Sequence, residues 1–479
     1  MVTIFSDFTA IKRLHYAANH IFCAVLGAEF TITSDKAAFL AANGPCINYS
    51  VEDLRHGIRI VPTGLLMESG IADMHNIDVE TWRATSWRAI DVETWRAVDV
   101  ETWRTVDMET WHATSLPGDV FSATFYLLTF YAEYLPSELD MHGRFKVENS
   151  PLFKQGLLET PIIDRWAYAL KDELERAGYK TSDFIGRTYH AVCTYDLDFP
   201  FKHLKEGIVK FVGKSLRDLS NGNYKLFWER LNTHLRKMRD PYYFAMWRID
   251  DAHRQLKHPY ILFVFSPTNP VIAGLTRNPN TNAPYLKYLS NVGEIGLHES
   301  YGAGSMGGLL VKPAMTIIKE KKRLEKLLKN RGLRVKPAMT DGSVNSERFH
   351  FLRIRIPNTY RHLNEADFKD DYSLAFATAM GFRSGTAVPH PFYDLERDEV
   401  TDLIIHPTVM MDATFMAHQK ITPEDALTKI KQLIDACKQS GGDYVSLWHN
   451  SNLAGTPAEN PWLKVYLEST QYAISLENV

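Results

Sequence analysis

The stretch ITPEDALTKIKQLIDACKQSGGDYVSLWHN, residues 421–450, predicts a helix that is followed directly by a strand. Thr422 is a good N-cap residue, and the two acidic residues after Pro423 place negative charge where the helix dipole favours it. The pair Gly441-Gly442 predicts the end of the helix, because glycine readily adopts the left-handed conformation of a C-cap. The apolar and aromatic residues of DYVSLWH then predict a strand that ends in His449.

The same alternation of strand and helix patterns extends upstream over the second part of the chain. Five further segments have the composition of strands: HAVCTYDLDF (190–199), YILFVFS (260–266), GEIGLH (293–298), HFLRIRI (350–356) and LIIHPTVMM (403–411). Strands that alternate with helices favour a parallel sheet or a (β/α) barrel, in which chemistry collects at the carboxyl ends of the strands.

The first part of the chain has a different pattern. Residues 8–26 have a helical pattern, and FSATFYLLTFYAEYL (121–135) is apolar on nearly all sides, which predicts a buried helix. We therefore expect an α/β protein with two domains, residues 1–185 and residues 186–479.

The composition excludes several classes of protein. The 479 residues contain 54 lysines and arginines against 57 acidic residues, a net charge of -3, which argues against a nucleic-acid partner. The four cysteines are far apart and form no CxxC pair, so we expect neither a disulfide framework nor a thiolate zinc site. We find no membrane span and no signal peptide in the sequence, and we expect a cytoplasmic protein.

Short repeats interrupt the chain. Residues 91–114 read DVETWRAV, DVETWRTV and DMETWHAT, and we predict a duplicated loop or hairpin inserted at 78–114, with a small aromatic ligand platform as the alternative. The sequences PVIAGLTRN (270–278), GLLVKPAMT (308–316) and GLRVKPAMT (332–340) indicate further surface insertions near 268–284 and 307–341. Between the last two, apolar residues at helical spacing predict an amphipathic helix with a solvated basic face.

Polar side chains end three of the predicted strands. Asp196 and Asp198 are two residues apart, so they lie on the same side of a strand. Two neighbouring carboxylates repel each other unless they hold a cation or share a proton. Because His298 and His449 end two other strands, we expect a hydrolytic metal site where the strand ends meet.

These segments resemble the polysaccharide deacetylases of the NodB-homology type, in particular a bacterial subgroup with an uncharacterised N-terminal domain. The resemblance covers nearly the whole chain apart from the repeats. The motifs that carry it are CINYS (46–50), DVFSATFYLLTFYAEYLP (119–136), HGRF (142–145), TYDLDFPF (194–201), EIGLHESY (294–301), RFHFLRIRIPNTY (348–360), DYSLAF (371–376), GFRSGTAVPHPFYDL (381–395), VMMDATF (409–415) and SLWHN (446–450).

The resemblance implies a distorted (β/α) barrel, preceded by a smaller α/β domain, that removes N-acetyl groups from an amino sugar or glycan with a divalent metal, typically zinc. It also implies a role for each member of a set of polar side chains: Asp196 as general base, Asp198 and His298 as metal ligands, Arg353 (alternatively Arg355 or Arg383) as the arginine that orients the base, His449 as general acid, and Asp412 as the carboxylate that holds His449.

The sequence departs from the family pattern at one position. The second metal histidine of the family is expected four residues after His298, where this chain has Gly302. The candidate replacements are Ser300, Ser305, His449 or a residue from elsewhere in the chain, and a serine hydroxyl is a poor zinc ligand. A catalytically impaired carbohydrate-binding or assembly protein is therefore the alternative to an enzyme, and an interaction protein built on the Trp repeat is a third hypothesis.

Overall fold

The computed structural model describes residues 1–8, 11–68, 71, 118–204, 207–267, 293–301, 313–329 and 343–478. The Trp repeat, most of the other repeated sequence and two of the candidate site residues, Gly302 and Ser305, lie outside these residues. The predictions made for them therefore stay predictions.

The first 60 residues contain a small parallel sheet with the strand order β2-β1-β3-β4. Its strands are β1 (Val2–Phe5), β2 (Phe30–Thr33), β3 (Cys46–Tyr49) and β4 (Ile58–Ile60). The helices of the first part are α1 (Lys12–Ala18), α2 (Lys36–Leu40), α3 (Val120–Leu128), α4 (Tyr131–Tyr134), α5 (Pro151–Lys154) and α6 (Ile162–Arg176). The helical pattern at 8–26 corresponds to α1 and a π-helical turn at Asn19–Val25.

The predicted helix over 121–135 is interrupted. It forms α3 and α4, and between them Phe130 adopts a left-handed backbone conformation with φ of 55°. The helix is mostly buried, as its composition indicates, but it turns at this residue.

The second part of the chain contains a sheet of nine described strands in the order β10-β11-β9-β8-β7-β6-β5-β13-β12. Its strands are β5 (His190–Leu197), β6 (Tyr260–Phe265), β7 (Gly293–Glu299), β8 (Ser346–Phe349), β9 (Asp370–Asp371), β10 (His390–Asp394), β11 (Glu399–Ile405), β12 (Thr408–Met411) and β13 (Asp443–His449). All pairs are parallel except β10 with β11. The helices that accompany it are α7 (Ile208–Ser220), α8 (Tyr224–His234), α9 (Pro241–Leu256), α10 (Pro313–Lys329), α11 (Asn358–Glu365), α12 (Pro423–Ser440) and α13 (Trp462–Ser475).

The mixed α/β class is therefore confirmed. Since the described strands leave β10 and β12 at the two edges of an open sheet, a closed barrel stays a prediction. The helix and strand predicted at 421–450 form as α12 and β13: the Thr422 hydroxyl accepts from the Asp425 N–H, and Gly441 caps α12 with φ of 65°. A Cβ on Gly441 would lie 2.1 Å from the carbonyl oxygen of Arg187, so the close approach also requires glycine.

One predicted strand is wrong. HFLRIRI contains no strand, because β8 covers Ser346–Phe349 and the chain then turns through His350–Leu352. Phe351 and Leu352 have positive φ angles of 64° and 51°, which no strand residue adopts.

The helix predicted between the two KPAMT repeats is α10, and for its residues, 313–329, the prediction of a surface element is wrong. Ile317, Leu324 and Leu328 are at most 1 % exposed and belong to the hydrophobic core of the main sheet. The described part of this segment is thus a core element.

A second hydrophobic core joins the first part of the chain to the second. It includes residues of β1, α1, α3 and α6, and also Val388, Tyr393 and Leu395 near β10. Buried Asp164 on α6 strengthens this contact, since it accepts hydrogen bonds from the Thr386 hydroxyl and the Ala387 N–H. Among the described helices we find none with the length and apolar character needed to cross a membrane.

Candidate metal centre

The functional side chains lie at the carboxyl ends of neighbouring parallel strands. Asp196 at the end of β5 pairs in register with His449 at the end of β13, and His298 at the end of β7 pairs with Arg348 on β8. Because the strands are parallel, these ends share one edge of the sheet. The edge therefore collects the charged groups that the sequence predicts there.

A cluster of three potential metal ligands lies at this edge: Asp198, His298 and His350. The Asp198 Oδ1 atom is 3.1 Å from His298 Nε2 and 3.6 Å from His350 Nε2, and the three ligand atoms lie within 4.8 Å of one another. Tetrahedral ligands at 2.0–2.2 Å from a zinc ion lie about 3.3–3.6 Å apart. The cluster is close enough for a single ion to reach all three atoms.

The hydrogen bonding of the cluster also fits a cation. Asp198 Oδ1 and His298 Nε2 are buried and have no hydrogen-bond partner of suitable geometry, which is costly unless another ligand satisfies them. The other ring nitrogen of His298, Nδ1, lies 2.8 Å from the carbonyl oxygen of Arg348. A carbonyl that accepts from Nδ1 leaves Nε2 free as a ligand, the usual outer arrangement of metal-binding histidines.

Electrostatics maintain the charges of these groups. Burial raises the pKa of Asp198, but the charge of His350 and the polar contacts of its carboxylate with the His298 and His350 rings outweigh burial and hold this pKa well below its usual value. Burial lowers the pKa of His298, but Asp196 and Asp198 outweigh it and raise this pKa. The pocket therefore favours an ionised carboxylate together with positive charge.

His350 is a potential ligand that was not named from the sequence. It supplies the third ligand atom of the cluster, whereas His449 is not part of it and the Ser300 N–H donates to Glu320. His350 directly follows β8, at the same edge of the sheet as the ends of β5 and β7.

The arginine that contacts the predicted base is Arg348, which corrects the assignment to Arg353, Arg355 or Arg383. Arg348 is fully buried, and its Nη1 donates to Asp196 Oδ1 at 3.0 Å and to the Thr194 hydroxyl at 2.6 Å. The second oxygen of Asp196, Oδ2, lies 3.8 Å from His298 Nε2 and thus borders the metal cluster.

Arg353 and Arg383 have other contacts. Arg383 forms a bidentate pair with Glu133 on α4 and donates to the carbonyl of Ala375. Arg353 donates to the carbonyls of His142 and Tyr301, and Arg355 is exposed. None of these contacts involves Asp196.

Residues of the first part of the chain contact the segment that contains His350. Arg144 pairs with Asp140 and donates from Nη1 to the carbonyl of Phe351 at 2.6 Å, directly after His350. The rings of Phe351 and His350 have centroids 4.4 Å apart. The left-handed backbone beside His350 is thus held by a residue of the first 185.

His449 and Asp412 form a hydrogen-bonded pair, as the resemblance implies. The His449 Nδ1 atom is 2.7 Å from Asp412 Oδ1, and Asp412 is fully buried. The second oxygen of Asp412 accepts from the His449 N–H and from the Asn452 amide. Although burial lowers the pKa of His449, Asp412 and the nearby Asp198 and Asp196 raise it to about 10.

Replacing His350 by alanine is expected to weaken zinc binding by at least about 100-fold, since loss of an outer hydrogen-bond partner alone costs 10- to 100-fold. Isothermal titration of the full chain with zinc measures the change. His142→Ala is the matched control, because its ring also packs on Phe351, 5.1 Å between centroids, but lies outside the ligand cluster. Equal losses in the two variants would remove His350 from the ligand set.

Comparison with known proteins gives a family model and a distant structural likeness. Residues 2–179 match a model described as a family of unknown function (DUF7033). A Mycobacterium smegmatis protein assigned as a polysaccharide deacetylase is 13 % identical, with a TM-score of 0.38 over 60 % of this chain and 85 % of that one. A likeness at this score carries no argument about the activity of this chain. No curated protein matches this chain. The comparisons therefore establish only that residues 2–179 match the model of a family whose function is unknown.

Proposed function

We propose that this chain hydrolyses the N-acetyl group of an amino sugar or glycan. The observation that carries the proposal is a combination at one sheet edge: a carboxylate fixed by an arginine, a histidine fixed by a carboxylate, and a three-ligand cluster beside them. Amide hydrolysis needs a base for the attacking water, a donor for the leaving amine and stabilisation of the negative charge on the carbonyl oxygen. The edge holds side chains suited to each task.

Asp196 is proposed to take a proton from water. Arg348 holds one carboxylate oxygen, so the other faces the ligand cluster at 3.8 Å from His298. His449 is proposed to donate a proton to the nitrogen as the C–N bond breaks and acetate leaves. Asp412 orients its ring through Nδ1, and its raised pKa keeps a proton available at neutral pH.

A divalent cation bound at the cluster would lower the pKa of water and polarise the amide carbonyl. Two imidazoles and one carboxylate are a common donor set of catalytic zinc, which leaves a position open for water and substrate. We therefore propose zinc as the metal, with Asp198, His298 and His350 as its ligands.

The alternative of a catalytically impaired carbohydrate-binding protein depends on the missing histidine at Gly302. His350 restores the count of three candidate ligands and so supports the enzyme. We also propose that residues 1–185 and 186–479 are the two domains, the second a distorted (β/α) barrel, in agreement with the parallel order of its strands.

Acetate release from N-acetylated glucosamine oligomers tests the proposal directly. The zinc-loaded chain is expected to release acetate, to lose activity with a chelator, and to regain it when zinc is restored. Binding of the same oligomers without any acetate release would instead support the carbohydrate-binding alternative and overturn the hydrolase.

A further inference from the structure

Helix α7 directs its apolar side away from the protein. Ile208, Val212 and Leu216, spaced four residues apart, are 79, 48 and 62 % exposed. Two polar residues of the same helix, Ser215 and Asp218, are instead buried, at 8 and 2 %. An amphipathic surface helix normally packs its apolar stripe on the core, so this arrangement is inverted.

Helix α8 extends the exposed apolar surface with aromatic residues. Tyr224 is 61 % and Trp228 56 % exposed. A buried ion pair between Asp218 on α7 and Arg230 on α8, 2.7 Å long, holds the two helices together. We call Ile208, Val209, Val212, Leu216, Tyr224 and Trp228 the apolar patch.

The patch lies in strongly basic sequence. Residues 208–239 contain eight lysines and arginines but only two acidic residues, whereas the whole chain has a net charge of -3. Both acidic residues are engaged: Asp218 with Arg230, and Glu229 with Lys202 and His203. Lys225 on α8 also pairs with Glu459 outside the segment. With eight basic and two acidic residues, the segment 208–239 still carries a net positive charge.

We infer that α7 and α8 form a docking surface for an anionic lipid bilayer. Exposed aliphatic and aromatic residues combined with lysine and arginine are the features of helices that lie in the membrane interface. Tryptophan and tyrosine favour the headgroup region, and basic residues are attracted to anionic lipids. A second copy of the chain fits less well, because two such basic surfaces repel each other.

The surface is anchored beside the candidate metal centre. Asp240, 2 % exposed, accepts from the backbone N–H groups of Lys202, His203 and Leu204 before α7, and from that of Tyr242 at the start of α9. Asp240 thus ties the residues before α7 to the start of α9, and in the sequence this anchor begins four residues after Asp198.

Co-sedimentation of the full chain with lipid vesicles tests the inference. Binding is expected to vesicles that contain phosphatidylglycerol and to weaken with added salt, with little binding to pure phosphatidylcholine. The double variant Val212→Glu/Leu216→Glu is expected to bind at least about tenfold more weakly, since each apolar side chain loses its transfer into the bilayer. Both side chains are exposed, so circular dichroism should stay that of the parent.

The matched control is Leu467→Glu, which changes a 39 % exposed leucine on α13 and is expected to bind vesicles like the parent. Failure of the parent chain to bind anionic vesicles, or equal binding by the double variant, overturns the inference. So does a parent dimer that the double variant converts to a monomer, which assigns the patch to a second copy. Because the readout is vesicle binding, its outcome is independent of any acetate release.

Discussion

Replacing Asp196 by asparagine is expected to reduce the rate of acetate release by about 10²- to 10⁴-fold, the usual contribution of a positioned general base. Asparagine keeps the size of the side chain and an oxygen that accepts from Arg348, so the backbone and the ligand cluster should stay in place. What it loses is the ability to take a proton. The effect should therefore appear in kcat, with KM and zinc stoichiometry nearly unchanged.

The matched control is Asp398→Asn. Asp398 also pairs with a buried arginine, Arg13 at 3.0 Å, but it lies outside the candidate centre. This variant should retain the activity of the parent chain. If Asp196→Asn bound zinc and were fully active, Asp196 would not be the general base and the proposed mechanism would be wrong.

The positions of the site residues were predictable where strand periodicity and strand ends determine them. Asp196, Asp198, His298 and His449 meet because parallel strands bring their carboxyl ends to one edge. That inference needs only the strand assignments, which the sequence pattern supports well.

His350 and Arg348 were missed because of one misplaced strand boundary. The segment HFLRIRI alternates in burial, with Leu352, Ile354 and Ile356 buried, but it does so in an irregular turn after β8. A strand predicted to start at 350 places this histidine at the wrong end of the element. With β8 at Ser346–Phe349, the arginine and the histidine fall at the carboxyl edge beside the other ligands.

The hydrogen-bond partners of Arg353 were not predictable from the sequence, for a different reason. Its partners are carbonyls of His142 and Tyr301, 211 and 52 residues away along the chain. Contacts of this kind depend on how the first part of the chain packs against the second. Local periodicity contains no information about that packing, so an arginine near the site is easily assigned to the wrong partner.

Replacing Arg348 by methionine is expected to lower the free energy of unfolding by about 3–5 kcal/mol, the cost of removing one partner from a buried ion pair. Arg348 is fully buried, and besides Asp196 it donates to the carbonyl of Tyr372 and the hydroxyls of Thr194 and Thr408. Methionine fills much of the volume but removes these N–H donors and leaves the Asp196 carboxylate without its cation, while the Tyr372 carbonyl still accepts from the Thr408 hydroxyl. Denaturant titration of the full chain measures the loss.

A double variant separates two effects of Arg348→Met: the unpaired Asp196 carboxylate and the lost packing of the arginine side chain. Adding Asp196→Asn to Arg348→Met removes the carboxylate that the arginine compensated, so the pair should recover at least about 1 kcal/mol of the single-variant loss. Arg355→Met, in the exposed part of the same segment, serves as control and should unfold at the denaturant concentration of the parent. If the losses of unfolding free energy in the two single variants simply added in the double variant, Arg348 would stabilise the sheet only through its hydrogen bonds to Thr194, Thr408 and the Tyr372 carbonyl. Its ion pair with Asp196 would then contribute nothing to stability.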